Sequence, residues 1–256
     1  MDKKRLTIVC VGGKVIENRD SLKVLIRDFA ALKGARLLVH GGGEIAFKVA
    51  SRMNLKVRND ASGSPIIDND MIDVMSMVHG GLINKRLVAL LERANTAAIG
   101  LTGADMRLLV AARAVGDVGW KGNIKRVNTT LLQNLLDKEV VPVIAPLAGD
   151  ANAQTYYVDE DEITAEVARV LSLTRDITIV YITDRNGVLM NELDPDSVIA
   201  SLSRTRYANL KEMGIIAGGM VPKIDSAFSS IDHGVKQVYV TSVDRLAHLE
   251  QATRIK

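Results

Sequence analysis

Residues 6–13 read Leu-Thr-Ile-Val-Cys-Val-Gly-Gly, and residues 36–43 read Arg-Leu-Leu-Val-His-Gly-Gly-Gly. Each is a short apolar run that stops at glycine, as expected of a strand buried on both faces of a parallel sheet and ending in a tight turn. Between them Leu22, Leu25, Phe29 and Leu32 recur at helical spacing, Asp20 and Ser21 offer capping side chains, and Gly34 stands just past the end. Residues 44–53 again have helical character. The order strand, helix, strand, glycine loop, helix predicts an α/β fold: a three-layer αβα sandwich around a mainly parallel central sheet, with ligands at the carboxyl ends of the strands.

The alternation continues outward from this unit. A long helix is expected over Asn69 to Glu92, strands over 97–101 and 141–146, a helix over 161–171, a strand over 177–182, a helix over 220–233 and a last strand over 237–241. From Met106 to Val127 the spacing changes to that of hairpins, punctuated by Gly116, Gly119 and Gly122. The small and polar residues between 148 and 158 suggest a soft boundary inside one domain spanning 1–256, with an N-lobe of about 1–150 and a C-lobe of 151–256.

Composition narrows the function class. In 256 residues, 33 Lys and Arg oppose 30 Asp and Glu for a formal charge of +3, so no single-sign field marks a nucleic-acid partner. With 47% hydrophobic residues and a mean hydropathy of +0.12, the chain can bury a sizeable core. No run has the roughly 18 apolar residues of a membrane span, and the start of the chain does not read as a signal peptide, so a cytoplasmic location is expected. One cysteine, Cys10, excludes a disulfide framework and a multi-cysteine zinc site, and no pair among the four histidines has metal-ligand spacing.

Three glycine clusters, Gly12-Gly13, Gly41-Gly42-Gly43 and Gly218-Gly219, are read as lying where strands end. Without Cβ atoms, their N–H groups can approach a phosphate or carboxylate closely, and a following helix adds a favourable partial charge. Each alone reads more readily as a plain tight turn. Neither the Walker A pattern nor the G-x-G-x-x-G fingerprint occurs. Lys223 lies four residues past Gly219, within reach of an anion on that loop; Asp161 lies in the acidic run Asp159-Glu160-Asp161-Glu162 at a helix start. Thr183, Asp184 and Gly187 follow a buried strand and either line a nucleotide pocket or form a turn.

Taken in order, Val11-Gly12-Gly13-Lys14, His40-Gly41-Gly42-Gly43, Gly80-Gly81-Leu82-Ile83-Asn84-Lys85, Gly100-Leu101-Thr102-Gly103-Ala104-Asp105, Pro142-Val143-Ile144-Ala145-Pro146 and Gly218-Gly219-Met220-Val221-Pro222-Lys223 make the chain resemble the amino acid kinase family, and within it the acylglutamate branch, over essentially its full length. The resemblance implies a carbamate kinase-like fold and transfer of the ATP γ-phosphoryl group to the side-chain carboxylate of an N-acylated glutamate, in arginine biosynthesis. It also implies Mg2+ held mainly by the nucleotide, and a homodimer. The N-lobe would hold the acylated amino acid and the C-lobe the nucleotide. By position, Lys223 would stabilise the transferring phosphoryl group and Asp161 would orient the charged groups around it. Gly12, Gly13, Thr183, Asp184, Gly187, Gly219 and Lys223 would face the nucleotide, and Gly41, Gly42 and Gly43 the acceptor.

Three family positions differ. Cys10 stands where the resemblance implies a second transition-state lysine, Pro65 where it implies an arginine clamping the acceptor α-carboxylate, and Tyr157 where it implies an acceptor-contacting asparagine. A thiol cannot replace an ammonium; losing one such electrostatic group costs about 100- to 1000-fold in rate. Lys56 and Arg58 are the cations nearest Pro65 in sequence. The expectation is therefore an acylglutamate kinase with weakened or redirected activity, insensitive to arginine. Two rival readings are a nucleotide-binding pseudokinase or regulatory subunit, and a family member acting on carbamate, a nucleoside monophosphate or aspartate.

Overall fold

A computed structural model of the chain describes residues 3–60 and 63–256. In chain order its elements are β1 (Lys4–Val11), α1 (Gly13–Glu17), α2 (Arg19–Ala31), β2 (Ala35–His40), α3 (Gly43–Arg52), α4 (Asn69–Met75), a π-helical segment (Ser76–Ile83), α5 (Asn84–Arg93), β3 (Ala98–Leu101), β4 (Leu109–Arg113), β5 (Gly122–Val127), α6 (Thr129–Asp137), β6 (Val141–Ile144), β7 (Leu147–Gly149), β8 (Thr155–Tyr157), α7 (Glu160–Leu171), β9 (Arg175–Thr183), β10 (Ser201–Leu202), α8 (Arg204–Glu212), α9 (Met220–Asp232), β11 (Gln237–Ser242) and β12 (Thr253–Ile255). The α/β class is as expected, with mostly parallel pairing in the strands of the main sheet.

The described chain divides into two compact units, one running up to Leu37 and resuming at Thr164, the other Leu38–Ile163. The strands of the first follow the order β10-β12-β11-β9-β1. β1 pairs with β9 in parallel from Lys4↔Arg175 to Val11↔Ile182, so the first strand folds with the last third of the chain. Leu6, Ile8, Val9 and Val11 are buried opposite Ile177, Ile179, Val180 and Ile182, as an unbroken apolar run requires. On α2, Leu22, Leu25, Ile26 and Phe29 form the buried face; its cap is Asn18, two residues before Asp20, whose side-chain Oδ1 accepts from the N–H groups of Asp20 and Ser21.

In the second unit β2, β6 and β3 pair in parallel, Leu38↔Val143 and Ala98↔Val141 among them. A smaller sheet of order β5-β4-β7-β8 accompanies them. β4 and β5 are the expected hairpin. β7 and β8 pair antiparallel from Leu147↔Tyr157 to Gly149↔Thr155, so the two strands form a hairpin inside this unit.

The long helix expected over 69–92 is present, with a difference: between α4 and α5 it widens into the π-helical turn. The N–H of Asn84 there reaches the carbonyl of His79, five residues back. Two successive glycines, Gly80 and Gly81, hold the ordinary ladder weakly at this point.

Candidate functional site

In the second unit, β2 delivers His40 to the glycine turn, and Gly42 caps α3. Gly42 has φ of +133°, and a Cβ there would stand 2.3 Å from Ile83 Cδ1, so both the backbone and its neighbour demand glycine. A Cβ on Gly41 would stand 2.2 Å from Glu160 Oε1: a carboxylate of the chain's own lies directly on the turn. At Gly43 the nearest atoms, Phe47 Cε2 and Tyr157 Oη, are at an ordinary 3.8 Å.

Beneath this turn is a buried polar network. Asn84 Nδ2 donates to the Val143 carbonyl (2.9 Å) and to His40 Nε2 (3.2 Å), which requires His40 to carry its proton on Nδ1, facing the Gly41 carbonyl at 2.9 Å. Burial pulls the His40 pKa down to about 4, so the ring is neutral. Lys85 Nζ completes the network by donating to Asn84 Oδ1 and the Gly100 carbonyl; a Cβ on Gly100 would stand 1.8 Å from Asn84 Oδ1. The His40, Asn84-Lys85 and Gly100 motifs thus meet to brace the turn. The spacing of these motifs along the chain does not disclose that role.

His79, on the π turn, is 0% exposed, and neither ring nitrogen has a hydrogen-bond partner. The Gly41 backbone opposes its pKa shift weakly, but burial and the neighbouring His40 dominate and bring it down to about 3. Its ring stacks on Tyr157, with centroids 5.9 Å apart, and lies 6.2 Å from the His40 ring. A buried polar group left unpaired costs about 1–3 kcal/mol. Tyr157 stays a phenol: burial, then the charges of Glu160, Asp159 and Asp161, push its pKa well up.

The acidic run at the start of α7 divides its labour. Asp159 Oδ1 accepts from the Asp161 N–H at 2.8 Å, capping the helix. Glu160 meets Gly41. Asp161 is 7% exposed, far more buried than a dipole-stabilising surface carboxylate needs to be. Glu162 accepts from the Ile124 N–H (2.7 Å) and Asn123 Nδ2 (3.1 Å), tying β5 to the helix. Pro65 sits in a small hairpin, bridged to Asn59, beside a cavity of about 450 Å3 lined by Arg58, Asp68, Asn69, Arg113, Gly119 and Trp120. Arg58 is exposed, 4.0 Å from Asp68; Arg113 stacks over Trp120 at 5.3 Å. These two guanidiniums are the cations among the residues lining that cavity. Lys56 is exposed.

The first unit gathers the other predicted residues. Cys10 is 1% exposed and lies opposite Tyr181 in the β1–β9 register. Lys223, in the first turn of α9, holds its ammonium 5.0 Å from the centre of the Tyr181 ring. Gly12 donates to the Ile182 carbonyl at 3.4 Å, Gly13 opens α1, and Lys14 Nζ pairs with Asp184 Oδ2 at 3.0 Å. Burial acts to raise the Asp184 pKa, but the Lys14 hydrogen bond and charge outweigh it and leave it lowered. Gly218 (φ +56°) and Gly219 have open space where a Cβ would be, leaving backbone approachable. They follow α8, not a strand as the sequence reading had it, because β10 is only two residues long and a helix intervenes. Thr183 Oγ1 accepts from the Arg185 N–H and donates to its carbonyl, forming a closed turn. Gly187 is packed: a Cβ would stand 2.7 Å from Thr253 Oγ1 and 2.9 Å from Val198 Cγ1.

No group of three or more His, Cys, Asp or Glu among the described residues is placed to hold a metal ion.

The family model for the amino acid kinase family matches residues 5–242. The chain is 40% identical to an acetylglutamate kinase of Bacteroides fragilis over 257 residues, covering 99% of this chain and 98% of the relative. It is 38% identical to one from Parabacteroides distasonis over 255 residues, covering 98% and 99%. Among solved structures, smu.665 from Streptococcus mutans UA159 superposes with a TM-score of 0.82 at 20% identity, over 98% of each chain. Carbamate kinase from Giardia lamblia bound to AMP-PNP gives 0.70 at 14%, over 100% of this chain and 99% of that one. At such identities the structural likeness is one of fold.

Proposed function

The chain belongs to the amino acid kinase family, and from that premise we propose that it phosphorylates the side-chain carboxylate of an N-acylated glutamate with ATP, a step of arginine biosynthesis. The observation that carries this reading is near-full-length similarity to acetylglutamate kinases at 38–40% identity, with every glycine turn of the family pattern in place. Phosphoryl transfer asks a protein for in-line positioning and neutralisation of charge, with little covalent chemistry of its own. Lys223 is suited to neutralising the transferring group, and the open backbone at Gly218 and Gly219 to approaching phosphate. Thr183, Asp184, Gly12, Gly13 and Gly187 belong to the same nucleotide half in this reading. The buried Asp161 is suited to orienting charged groups. Mg2+ bound to the phosphates would supply charge neutralisation that the chain, with Cys10 in place of a lysine, supplies only in part. Gly41, Gly42, Gly43, Tyr157 and the Pro65 loop would form the acceptor half.

Cys10 also supports a second reading, a nucleotide-binding regulatory subunit with little turnover, because its buried thiol contributes no cation. The two separate on one assay: ADP release and hydroxylamine-trapped acyl phosphate with Mg-ATP, offering N-acetylglutamate and N-succinylglutamate in parallel. Acyl phosphate from either supports the kinase. Nucleotide binding with no acyl phosphate from both supports the regulatory subunit. A homodimer belongs to the kinase reading, and a mass in solution of twice 27.7 kDa would agree with it. No helix of the described residues is long and apolar enough to cross a membrane, in keeping with a cytoplasmic enzyme.

A further inference from the structure

We propose that a cavity on the small sheet, walled by Arg107 and Arg126, is a second ligand site that takes a small organic anion: one carboxylate or phosphate head on an uncharged, mainly apolar body. Its lining shares no residue with the nucleotide half or the acceptor half described above.

The cavity has a volume of about 350 Å3, within the range of small-molecule sites. Strand register builds its floor. Arg126 on β5 pairs with Val110 on β4, Val110 with Gly149 on β7, and Gly149 with Thr155 on β8. One row of residues therefore crosses all four strands, and every member of it lines the cavity. Directly paired residues project to the same face of a sheet. Gly149, inside the row, contributes no side chain, and a Cβ there would meet nothing nearer than the Gln154 carbonyl at 3.8 Å. The row thus has a cation at one end, a hydroxyl at the other and a hollow over bare backbone between them. Arg107 adds a second cation from the turn that enters β4. Met106 and Arg107 hold φ of +49° and +51° there, and Asn128 Nδ2 ties the turn down by donating to the Met106 carbonyl at 2.9 Å.

Charge then selects the class of ligand. The charged residues of the lining are Arg107, Arg126 and Asp150, a net positive wall. Neither guanidinium has an ion pair or a hydrogen bond among the described residues. The carboxylates closest in the chain are already engaged. Asp105 Oδ2 accepts from the Thr102 N–H (2.6 Å) and hydroxyl (2.9 Å). Asp150 Oδ1 accepts from the N–H groups of Asn152 (2.8 Å) and Gln154 (3.0 Å), and its Oδ2 from Tyr156 Oη (3.1 Å). A guanidinium's planar fork matches the oxygens of a carboxylate or a phosphate. A cationic ligand would meet two like charges, and an inorganic anion would leave the hollow over Gly149 unfilled. An anionic head at the arginines, with an apolar body over Val110, Gly149 and Ala153, uses both the charge and the space.

The test is calorimetric binding of four probes to the full chain: benzoate, phenyl phosphate, inorganic phosphate and benzyl alcohol. Benzoate or phenyl phosphate should bind more tightly than either the bare anion or the neutral alcohol, and the better of the two identifies the head. Arg107→Gln and Arg126→Gln should each weaken that binding about 10-fold, and the pair about 100-fold. Both side chains are exposed, so these variants should keep the wild-type thermal midpoint. Gly149→Val fills the hollow and should abolish binding of the organic anions. Inorganic phosphate binding as tightly as phenyl phosphate would overturn the proposal, because charge alone would then explain it. Binding unchanged in the double arginine variant would place the probe elsewhere and overturn it too, as would wild type that binds neither organic anion at millimolar concentration. None of these outcomes touches the kinase reading, which the acyl phosphate assay decides separately.

Discussion

The glycine turn after β2 permits a quantitative test in which adjacent residues should behave oppositely. At Gly42 an added methyl meets two penalties. The backbone sits at φ +133°, a region L-residues rarely enter, and the Cβ would lie 2.3 Å from Ile83 Cδ1. The first costs about 1–3 kcal/mol and the second, as overpacking, about the same again. Gly42→Ala should therefore lose about 2–6 kcal/mol, a large share of the 5–15 kcal/mol typical of a whole protein. At about 2–4 °C per kcal/mol for a chain of this size, the thermal midpoint should drop by about 4–24 °C. Gly43→Ala is the control. Its Cβ would make ordinary 3.8 Å contacts, its position is the first of α3, and replacing glycine by alanine in a helix is mildly favourable. Its midpoint should stay or rise slightly. Adding Ile83→Val to Gly42→Ala should return part of the steric cost and none of the backbone cost. Differential scanning fluorimetry and urea titration, with and without acceptor, read all three. Equal midpoints for Gly42→Ala and Gly43→Ala would refute the claim that the turn requires glycine at Gly42.

The remaining predictions concern charge and protons. Glu160→Ala takes from Gly41 the carboxylate that lies on it; KM for an anionic acceptor should fall several-fold, whereas an unchanged KM would show that Glu160 does not compete for the turn. Cys10→Lys should raise kcat by about 10- to 1000-fold if missing charge is the defect, and a stably folded variant with no gain would count against that account. His40 and His79, held near pKa 4 and 3 by burial, titrate near about 6.5 once unfolded, so the unfolded chain binds protons first as pH falls. Stability should be whole above pH of about 6.5 and drain toward pH of about 4, by several kcal/mol for the pair. Urea midpoints across that range check it: His79→Leu should flatten the slope, and a level profile in wild type would refute the burial argument.

Much was legible in the residues themselves. Apolar runs such as Leu6–Val11 and Ile177–Ile182 reveal buried parallel strands because burial on both faces leaves no charged position in the pattern. Gly42 is legible as a turn because few other residues accept its backbone. Substitutions at Cys10, Pro65 and Tyr157 are likewise visible in the chain, because a motif states what a position holds elsewhere. What the sequence does not contain is the identity of neighbours across space. β1 lies beside β9 although some 170 residues separate them, and no local pattern in either strand names the other. Glu160 on Gly41, Asn84 bridging His40 to Val143, and His79 stacked on Tyr157 are each made by residues from different elements. The acidic run shows the limit most clearly: four successive carboxylates read as one helix-start signal, and only the packing of α7 gives Asp159, Glu160, Asp161 and Glu162 different environments. Local pattern follows from which faces must be dry; pairing follows from which surfaces meet, and that is decided by the folded chain as a whole.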